Sequence, residues 1–420
     1  MKRMLFLLLL PIIGLMSVAC DDDDDEKKDG DESATTNSLV LTADRPYITA
    51  NGSDKVTFTV KDAAGEDVSL KCVYKANEEE LVDNTLTTTT PGTYKVSATY
   101  KGVTSNVLDV VALGENVKLK VVADKKSIIA DGGDFACLYL EDEQGSRLLD
   151  GEFYVNGEKL NTPYFETNKP GSYRISAIWK GKEAEDALTL GAFADGEYTP
   201  RMLVESWTGT MCQYCTPVIK VLTEGDAVAR KEPRVILIET HHGGAMEYDA
   251  RSNEMDNCFG RYYKATGTPS VYFDREKTKF NASNLSKEVL LSSIKNKADV
   301  AIAIKTSFSE DRKSINVDAV VGSKKSFKGK IIAALVEDGL YLYHIDLGMI
   351  EWYHTMRDYR PSFEGGDAVA IEPNSLTKAQ FNIPLGLAKA EQSRIVVFVT
   401  NEEGTVENIQ EVVAGNSVGY

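Results

Sequence analysis

Apolar and polar residues alternate along short runs over most of the chain. Val56, Phe58 and Val60 show the pattern early, with polar residues between them. Successive side chains of a β-strand point to opposite faces, so this alternation predicts strands with one buried face. It returns beyond residue 298 in runs such as VAIAIKTSF and RIVVFVTN. We therefore expect β-structure at both ends of the chain, with a different pattern between them.

An internal repeat organises the first part of the chain. LTADRPYITANGSDKVTFTVKD at 41–62 matches VVADKKSIIADGGDFACLYLED at 121–142, and PGTYKVSATYKG matches the later PGSYRISAIWKG. The offset is about 80 residues, which suits one small β-sandwich domain. Each unit resembles an immunoglobulin-like sandwich of the kind that bacteria string together on their surfaces. We expect repeat 1 over residues 39–115 and repeat 2 over residues 116–195, serving as spacers.

Residues 196–298 combine strand and helix patterns in the order β-α-β-α-β-β-α. Two cysteines, Cys212 and Cys215, follow the first of these strands. A thiol at a helix N-terminus is favoured as a thiolate, and a partner one turn later can close a disulfide. Thr268-Pro269 directly precedes a later strand, as the cis-proline does in thioredoxins. This segment resembles the thioredoxin fold, and we expect a thioredoxin-like α/β domain here.

The thioredoxin resemblance implies roles in thiol-disulfide exchange. Cys212 would attack a substrate, Cys215 would resolve the mixed disulfide, and Pro269 would face the two sulfurs. The backbone of Thr268 would pair with an extended substrate chain, and Tyr214 would contact it. These five residues are the predicted catalytic and substrate-binding set.

Two positions depart from thioredoxins. Ser206 occupies the register in which they carry a buried aspartate, and Met211 replaces the tryptophan that precedes the first cysteine. Glu205 is adjacent to Ser206, but strand alternation points it to the opposite face. A fast general reductant is therefore not expected. A specialised oxidoreductase and a structural disulfide both stay open.

The histidines give only a weak metal signal. His241 and His242 precede Glu247 and Asp249, but neighbouring residues of an extended chain point to different sides. We predict no metal and no cofactor, with the two histidines as loop residues that form hydrogen bonds or face the cysteines.

A second polar group, His354, Arg357 and Asp358, lies in the last segment of the chain. No nucleophilic serine or paired carboxylate accompanies it, which argues against catalysis. We interpret these residues as hydrogen-bonded groups that fix the packing between the last two domains.

The three remaining cysteines of the mature chain follow no pairing pattern. Cys72 and Cys137 fall at non-equivalent positions of different repeats, so neither repeat holds a bridge of its own. Cys258 lies in a helical run and is expected in the core. We predict free thiols at all three, and a disulfide between Cys212 and Cys215, whose spacing guarantees proximity.

The N-terminus has the pattern of a secretory signal. Lys2 and Arg3 precede the apolar run LFLLLLPIIGLM, and small residues lead to Cys20. A cysteine at the cleavage point predicts a lipoprotein, in which residues 1–20 hold the signal and the Cys20 thiol carries acyl chains such as palmitate. Residues 21–38 are acidic and almost without apolar side chains, so we expect a disordered tether.

The last segment, residues 299–420, is predicted to be a C-terminal β-sandwich. It contains LVEDGL followed by YHTMRDYRP, and the preceding segment contains THHGG and TGTPSVYFDR. With the signal sequence, these motifs resemble the outer membrane protein 28 family of bacterial surface lipoproteins over about residues 200–415. The resemblance implies an outer-membrane location, a thioredoxin-like domain joined to a β-domain, and a possible role as an adhesin.

The charge of the chain argues against two kinds of partner. The net charge is −17, and the folded part is acidic even without the N-terminal tail, so we expect poor binding of nucleic acid and of anionic lipid. Two functions remain: a lipid-anchored binding or adhesion protein at the cell surface, whose CxxC may keep redox competence, and an extracytoplasmic thiol-disulfide oxidoreductase. The slight preference is for the first, with an unidentified protein or peptide partner.

Overall fold

The computed structural model of the chain describes residues 39–114, 116–148, 151–223, 227–242 and 250–420. The predicted signal peptide, the predicted lipidation site Cys20 and the predicted acidic tether lie outside these residues. Within them, no helix combines the length and apolar character that crossing a bilayer requires.

Repeat 1 folds as two facing sheets. One has the strand order β1-β3-β6 and the other β2-β9-β7-β4-β5, with β8 pairing β7. The predicted alternation is confirmed in β3, where Val56, Phe58 and Val60 are fully buried. Its strands are β1 (Val40–Ala43), β2 (Tyr47–Thr49), β3 (Val56–Lys61), β4 (Val73–Ala76), β5 (Glu79–Glu80), β6 (Thr85–Leu86), β7 (Gly92–Tyr100), β8 (Val103–Thr104) and β9 (Leu108–Leu113), with a 3-10 turn at Ser69–Lys71.

Repeat 2 has the same arrangement. One sheet runs β10-β12-β13 with β16 on β12, and the other runs β11-β19-β17-β14-β15 with β18 on β17. Its strands are β10 (Lys120–Ala123), β11 (Ser127–Ile129), β12 (Phe135–Glu141), β13 (Arg147–Leu148), β14 (Glu152–Val155), β15 (Glu158–Lys159), β16 (Tyr164–Glu166), β17 (Gly171–Trp179), β18 (Lys182–Glu183) and β19 (Leu188–Phe193).

The same polar turn closes the equivalent loop of each repeat. The Asp54 carboxylate accepts a hydrogen bond from the Thr49 backbone N–H at 2.7 Å, and the Asp134 carboxylate accepts one from Ile129 at 2.8 Å. Each carboxylate thereby satisfies a backbone donor that the strand leaves unpaired. The repeated sequence pattern thus has a repeated local structure.

Residues 202–293 alternate strands and short helices. The strands are β20 (Met202–Thr208), β21 (Val235–His241) and β22 (Ser270–Phe273); the helices are α1 (Thr216–Leu222), α2 (Val228–Lys231), α3 (Ala250–Tyr263) and α4 (Lys287–Ser293), with 3-10 turns at Gln213–Cys215 and Ala282–Asn284. Ser286 caps the last helix, since its hydroxyl accepts a hydrogen bond from Val289 N–H at 3.3 Å.

The remaining residues form strands, most of them long. They are β23 (Val300–Phe308), β24 (Ser314–Ser323), β25 (Phe327–Glu337), β26 (Leu340–His344), β27 (Gly348–Trp352), β28 (Thr355–Arg360), β29 (Asp367–Ile371), β30 (Ser375–Pro384), β31 (Ser393–Asn401), β32 (Val406–Val413) and β33 (Ser417–Val418), with a 3-10 turn at Ala390–Gln392.

One eight-stranded sheet joins the middle and the end of the chain. Its order is β22-β20-β21-β28-β25-β31-β32, with β29 on β25. β21 runs parallel to both β20 and β28. A four-stranded sheet, β30-β24-β23-β33, covers part of one face. The core between them includes Ile302 and Val317 from the small sheet and Leu335 and Val397 from the large one.

The predicted fold class is wrong for residues 196–298. A separate thioredoxin-like α/β domain would have its own sheet, whereas β20, β21 and β22 share a sheet with five C-terminal strands. About 50% of the chain is strand and 11% is helix, so the chain is a multidomain all-β protein. An unpaired strand edge exposes hydrogen-bonding groups, and β28 satisfies the edge of β21 that a separate domain would leave open.

A buried ion pair links the two parts of the large sheet. Arg275 donates to the Glu205 carboxylate at 3.2 Å and to the Phe363 backbone carbonyl at 2.7 Å. The hydroxyls of Tyr359, at 2.9 Å, and Tyr263 also donate to Glu205. Both charged side chains are almost wholly buried, so each depends on these partners for its solvation. Residues from β20, α3 and β28 therefore meet at one carboxylate.

Repeat 2 contacts the C-terminal strands directly. Phe135 and Cys137 share a small buried cluster with Ala303, and the ring of Tyr420 packs against it. The Tyr420 backbone N–H donates to the Asp134 carboxylate at 3.0 Å. This repeat is therefore packed onto the body that follows it.

We predict that Glu205→Ala destabilises the large sheet by about 3–5 kcal/mol, because it leaves the buried guanidinium of Arg275 without its counter-charge. A multidomain chain need not unfold in one step, so hydrogen exchange of the β20 and β28 peptides is the appropriate measurement. Glu152→Ala is the control, since it removes an exposed pair with Lys159 and should leave exchange unchanged. Equal effects of the two substitutions would contradict the assignment.

Candidate functional site

The two cysteines of the CxxC sequence lie where β20 turns into α1. The Cys212 N–H donates to the Gly209 carbonyl at 3.2 Å, and the Cys215 N–H donates to the Cys212 carbonyl at 3.0 Å. These bonds form the turn that brings the cysteines together, and a disulfide joins them. The helix begins later than expected, because Cys215 rather than Cys212 is the residue that precedes α1.

Pro269 lies at the same end of the sheet as the disulfide. The Thr268-Pro269 peptide bond is cis. Ser270, the next residue, pairs with Trp207 across β22 and β20, and the cysteine turn follows Trp207 by a few residues. Thr268 and Pro269 are both half-buried. The predicted catalytic roles of these residues remain predictions.

A hairpin from the C-terminal part of the chain packs over the disulfide. It consists of β26 and β27, residues 340–352, and is called the covering hairpin below. Its Trp352 forms a small buried cluster with Cys215 and Ile219. Half-buried apolar side chains pack against this cluster, namely Cys212, Leu340, Leu342, Leu347 and Ile350. Cys215 is fully buried as a result, whereas Cys212 is partly exposed.

Two hydrogen bonds fix the tip of the covering hairpin. The Ile345 N–H donates to the Thr210 carbonyl at 3.0 Å. The Thr216 hydroxyl donates to the Asp346 carboxylate at 3.0 Å. Both bonds join the hairpin to residues that flank the CxxC, so the hairpin and the disulfide form one local structure.

Beneath this structure lies a row of buried polar side chains. Ser206, Glu239 and Thr355 are paired across β20, β21 and β28, and Thr208 pairs with His241 one step further along. Paired residues share a face of the sheet, and alternation places these on the face that carries α1. We call these five residues the polar floor. Their side-chain oxygens and ring nitrogens make no hydrogen bond to any described residue.

Burial determines the protonation states of the two titratable residues of the polar floor, Glu239 and His241. It raises the pKa of Glu239 from its usual 4.5 to about 8. It also lowers the pKa of His241 from 6.5 to about 3, with a further contribution from the charge of Arg357. The two groups lie 3.9 Å apart, which is within ion-pair range, but both are neutral at pH 7. The His241 ring instead packs edge-on against Trp352, with centroids 4.7 Å apart.

Glu239 is a site residue that the sequence analysis missed. In β20, Ser206 occupies the register in which thioredoxins carry a buried acid. Glu239 lies in the neighbouring strand, at the end of the otherwise apolar run VILIE. A lone carboxylate in a run of buried-strand residues is the signal that identifies it.

The neighbouring histidine belongs to a different contact. His242 lies within 3.0 Å of the Asp256 carboxylate, which also accepts a hydrogen bond from the Trp207 indole N–H at 2.6 Å. His241 and His242 therefore point to different sides of the chain, as expected. Among the described residues, no group of three His, Cys, Asp or Glu side chains is arranged to hold a metal ion. Glu247 and Asp249 lie outside the described residues.

The polar group near the end of the chain is dispersed among separate partners. His354 contacts the Glu411 carboxylate at 2.9 Å, and Arg357 donates to Glu337 at 2.7 Å. Asp358 forms an ion pair with Arg360 at 2.8 Å, so these contacts join the three residues to three different partners. The three remaining cysteines of the described chain are free thiols, as predicted: Cys72, which is half-buried, and Cys137 and Cys258, which are buried.

The two segments that meet at the disulfide carry exposed apolar side chains. Met211 and Tyr214 project from the CxxC turn, and Tyr341, Tyr343 and Met349 project from the outer face of the covering hairpin. Tyr343 and Met349 are directly opposite each other across the two strands. We call these five residues the contact patch. They are five of the twelve most exposed large apolar side chains in the described chain.

Comparison with known proteins bears on this arrangement. The fold is that of a multidomain all-β protein in which a disulfide follows one strand of the eight-stranded sheet. Residues 256–418, less than half of the chain, match the family described as Outer membrane protein Omp28. The match confirms the family resemblance that the sequence motifs predicted, and that family indicates an outer-membrane protein. It includes the covering hairpin but begins after Cys212 and Cys215.

Other similarities are weaker. No curated protein matches the chain. HBP35 of Porphyromonas gingivalis is 14% identical over 52% of this chain and 77% of that chain, with a TM-score of 0.42. InvD of Yersinia pseudotuberculosis is 14% identical over 91% of this chain and 98% of that chain, with a TM-score of 0.18. The adhesin InvE of the same organism is 15% identical over 36% and 58%, with a TM-score of 0.15.

We predict that Glu239 makes the stability of this region fall as the pH rises. Its raised pKa means that its contribution is complete below about pH 4.5 and is lost through about pH 8. His241 has the opposite sign, because its contribution is complete above about pH 6.5 and is lost as the pH falls through about 3. Glu239→Gln should therefore gain stability relative to wild type between neutral and alkaline pH.

Hydrogen exchange of the β21 peptide, measured from acidic to alkaline pH and corrected for the intrinsic exchange rate, reports this difference. Glu403→Gln is the control because Glu403 is exposed in a turn. A constant difference between Glu239→Gln and wild type across the range would refute the raised pKa.

Proposed function

We propose that this protein is a lipid-anchored outer-membrane protein that acts at the cell surface as a binding or adhesion protein, with the contact patch as its binding surface. Tyr214 is 82% exposed and Tyr341 is 65% exposed. Tyrosine and methionine side chains at this exposure are costly to leave in water and are enriched in protein interfaces. Their exposure on two segments that pack against each other, the CxxC turn and the covering hairpin, is the observation that carries the proposal.

The disulfide holds the two segments of the proposed binding surface in place. It closes the turn that presents Met211 and Tyr214, and its buried sulfur packs beneath the hairpin that presents Tyr341 and Tyr343. A surface that is rigid before binding loses less conformational entropy when a partner binds. In this role the disulfide is a structural link and stays oxidised.

The membrane attachment proposed here depends on Cys20. The thiol of this residue would carry the acyl chains, and the acidic segment that follows would hold the folded residues away from the membrane. Two β-sandwich repeats between the anchor and the contact patch suit a protein that presents a binding surface to other cells or to the surrounding matrix.

A second candidate is an extracytoplasmic thiol-disulfide oxidoreductase. It is favoured by one observation, the partly exposed Cys212 at the same sheet end as Pro269. In the oxidising direction, a substrate thiolate would attack the Cys212 sulfur and release Cys215. A second substrate thiol would then displace Cys212, leaving an oxidised substrate and two reduced cysteines. Thr268 and Tyr214 would hold the substrate chain.

The reduction potential of the cysteine pair distinguishes the two roles. We expect a potential below about −300 mV, which is typical of structural disulfides, and no mixed disulfides when the Cys215→Ala variant is expressed in the periplasm. A higher potential together with trapped partner proteins would favour the oxidoreductase. The double variant Cys212→Ala with Cys215→Ala controls for capture by the other cysteines.

Adhesion tests the contact patch itself. Beads coated with the folded residues 39–420 should adhere to epithelial cell monolayers, and the triple variant Tyr214→Ala, Tyr341→Ala, Tyr343→Ala should lose at least about tenfold of that adhesion. The control substitutes Leu70 and Val82 with alanine, because both are exposed apolar residues of repeat 1. Equal adhesion of the two variants would contradict the proposed surface.

A further inference from the structure

The covering hairpin has two faces of different character. Tyr341 and Tyr343 point outward into solvent, while Leu342 between them points to the disulfide. On β27 the outward residue Met349 alternates with Ile350, which also packs toward the sulfurs. The apolar inner face therefore has the disulfide as part of its packing surface.

The hairpin is attached to the rest of the protein by few directional contacts. Among the described residues, β26 and β27 pair only with each other and join neither large sheet. The two hydrogen bonds at the tip and an ion pair of 3.7 Å between Arg230 and Glu351 are the main polar links. The apolar cluster around Trp352 must therefore supply most of the remaining attachment. Such an element can detach while the sheets stay folded.

The closed position also has an unfavourable component. The inner face covers polar groups that have no hydrogen-bond partner in the described chain: the His241 ring, the Trp352 indole N–H and one nitrogen of His344. Burying such groups opposes closure, because water would satisfy them in an open state. Closure thus depends on the apolar packing that includes the cysteine sulfurs.

We propose that the covering hairpin is a redox-linked cover: it shields the Cys212–Cys215 disulfide from thiols while closed, and reduction of the disulfide loosens it. A thiolate must reach a sulfur to react, and Cys215 is fully buried beneath Trp352 while Cys212 is half-covered. Reduction breaks the covalent bond between the two sulfurs, so the sulfurs can move apart. The surface against which Leu342 and Ile350 pack is then no longer fixed in shape.

The chemistry of the opening step is ordinary thiol exchange. One thiolate of a small dithiol attacks the Cys212 sulfur, the disulfide breaks, and Cys215 leaves and takes up a proton. The second thiol of the reagent then displaces Cys212, which is protonated in turn. The reagent is oxidised to its cyclic disulfide, and the protein gains two electrons and two protons. This inference holds whether the protein acts in binding or in exchange, since it concerns access to the sulfurs.

The rate of reduction by dithiothreitol tests the cover. Leu342→Ala and Ile350→Ala remove inner-face packing and should speed reduction by roughly tenfold or more, because opening becomes easier. Leu387→Ala and Val413→Ala are the controls, because both remove exposed apolar side chains outside the covering hairpin and the contact patch, and they should react at the wild-type rate. Equal rates for the inner-face variants and these controls would overturn the proposal. Hydrogen exchange in β24, which belongs to the separate four-stranded sheet, checks that each variant stays folded.

A second measurement uses the unaltered protein. Amide exchange of the 340–352 peptide should become at least several-fold faster on reduction, while the β24 peptide at 314–323 stays unchanged. The double variant Cys212→Ser with Cys215→Ser should show the fast exchange with and without reductant. Equal protection of the hairpin in the oxidised and reduced protein would overturn the link between redox state and opening.

Discussion

The large sheet depends on one buried carboxylate. Glu205 accepts hydrogen bonds from Arg275, Tyr263 and Tyr359, which come from segments that are far apart in the sequence. A buried charge without partners is so unfavourable that these segments must assemble together. Because these partners must come together, β20 and β22 lie in the same sheet as β28. The disulfide lies at one end of that sheet. The candidate site thus follows from a constraint in the core on the opposite face.

The same assembly explains why two distant segments form one surface. The turn after β20 carries the cysteines, and the chain that returns through β25 and β28 carries the covering hairpin between those strands. The hairpin can reach the disulfide because β28 lies next to β21 in the sheet. Binding residues and redox residues are therefore neighbours, and each depends on the position of the other. A small movement of the hairpin changes both the shape of the contact patch and access to sulfur.

Sequence patterns predicted local structure better than assembly. The alternation in β3 and the family resemblance of the later part of the chain were both predicted, because each depends on residues that are close in sequence or on a motif. The thioredoxin-like domain was wrong because strand patterns do not reveal which strand pairs with an open edge. Glu239 and the covering hairpin were missed for a related reason. The burial of Glu239 and the packing of the hairpin on the disulfide both depend on contacts between segments that are far apart in the sequence.

The contact between repeat 2 and Tyr420 limits how the protein can be divided for study. The aromatic rings of Tyr198 and Tyr420 pack edge to face, and Phe135 and Cys137 close over the neighbouring strands. A fragment that starts after the second repeat would expose this aromatic surface to water and would be prone to aggregate. Truncated forms that lack residues 116–195 would then report their own self-association, and any adhesion measured with them would be misleading.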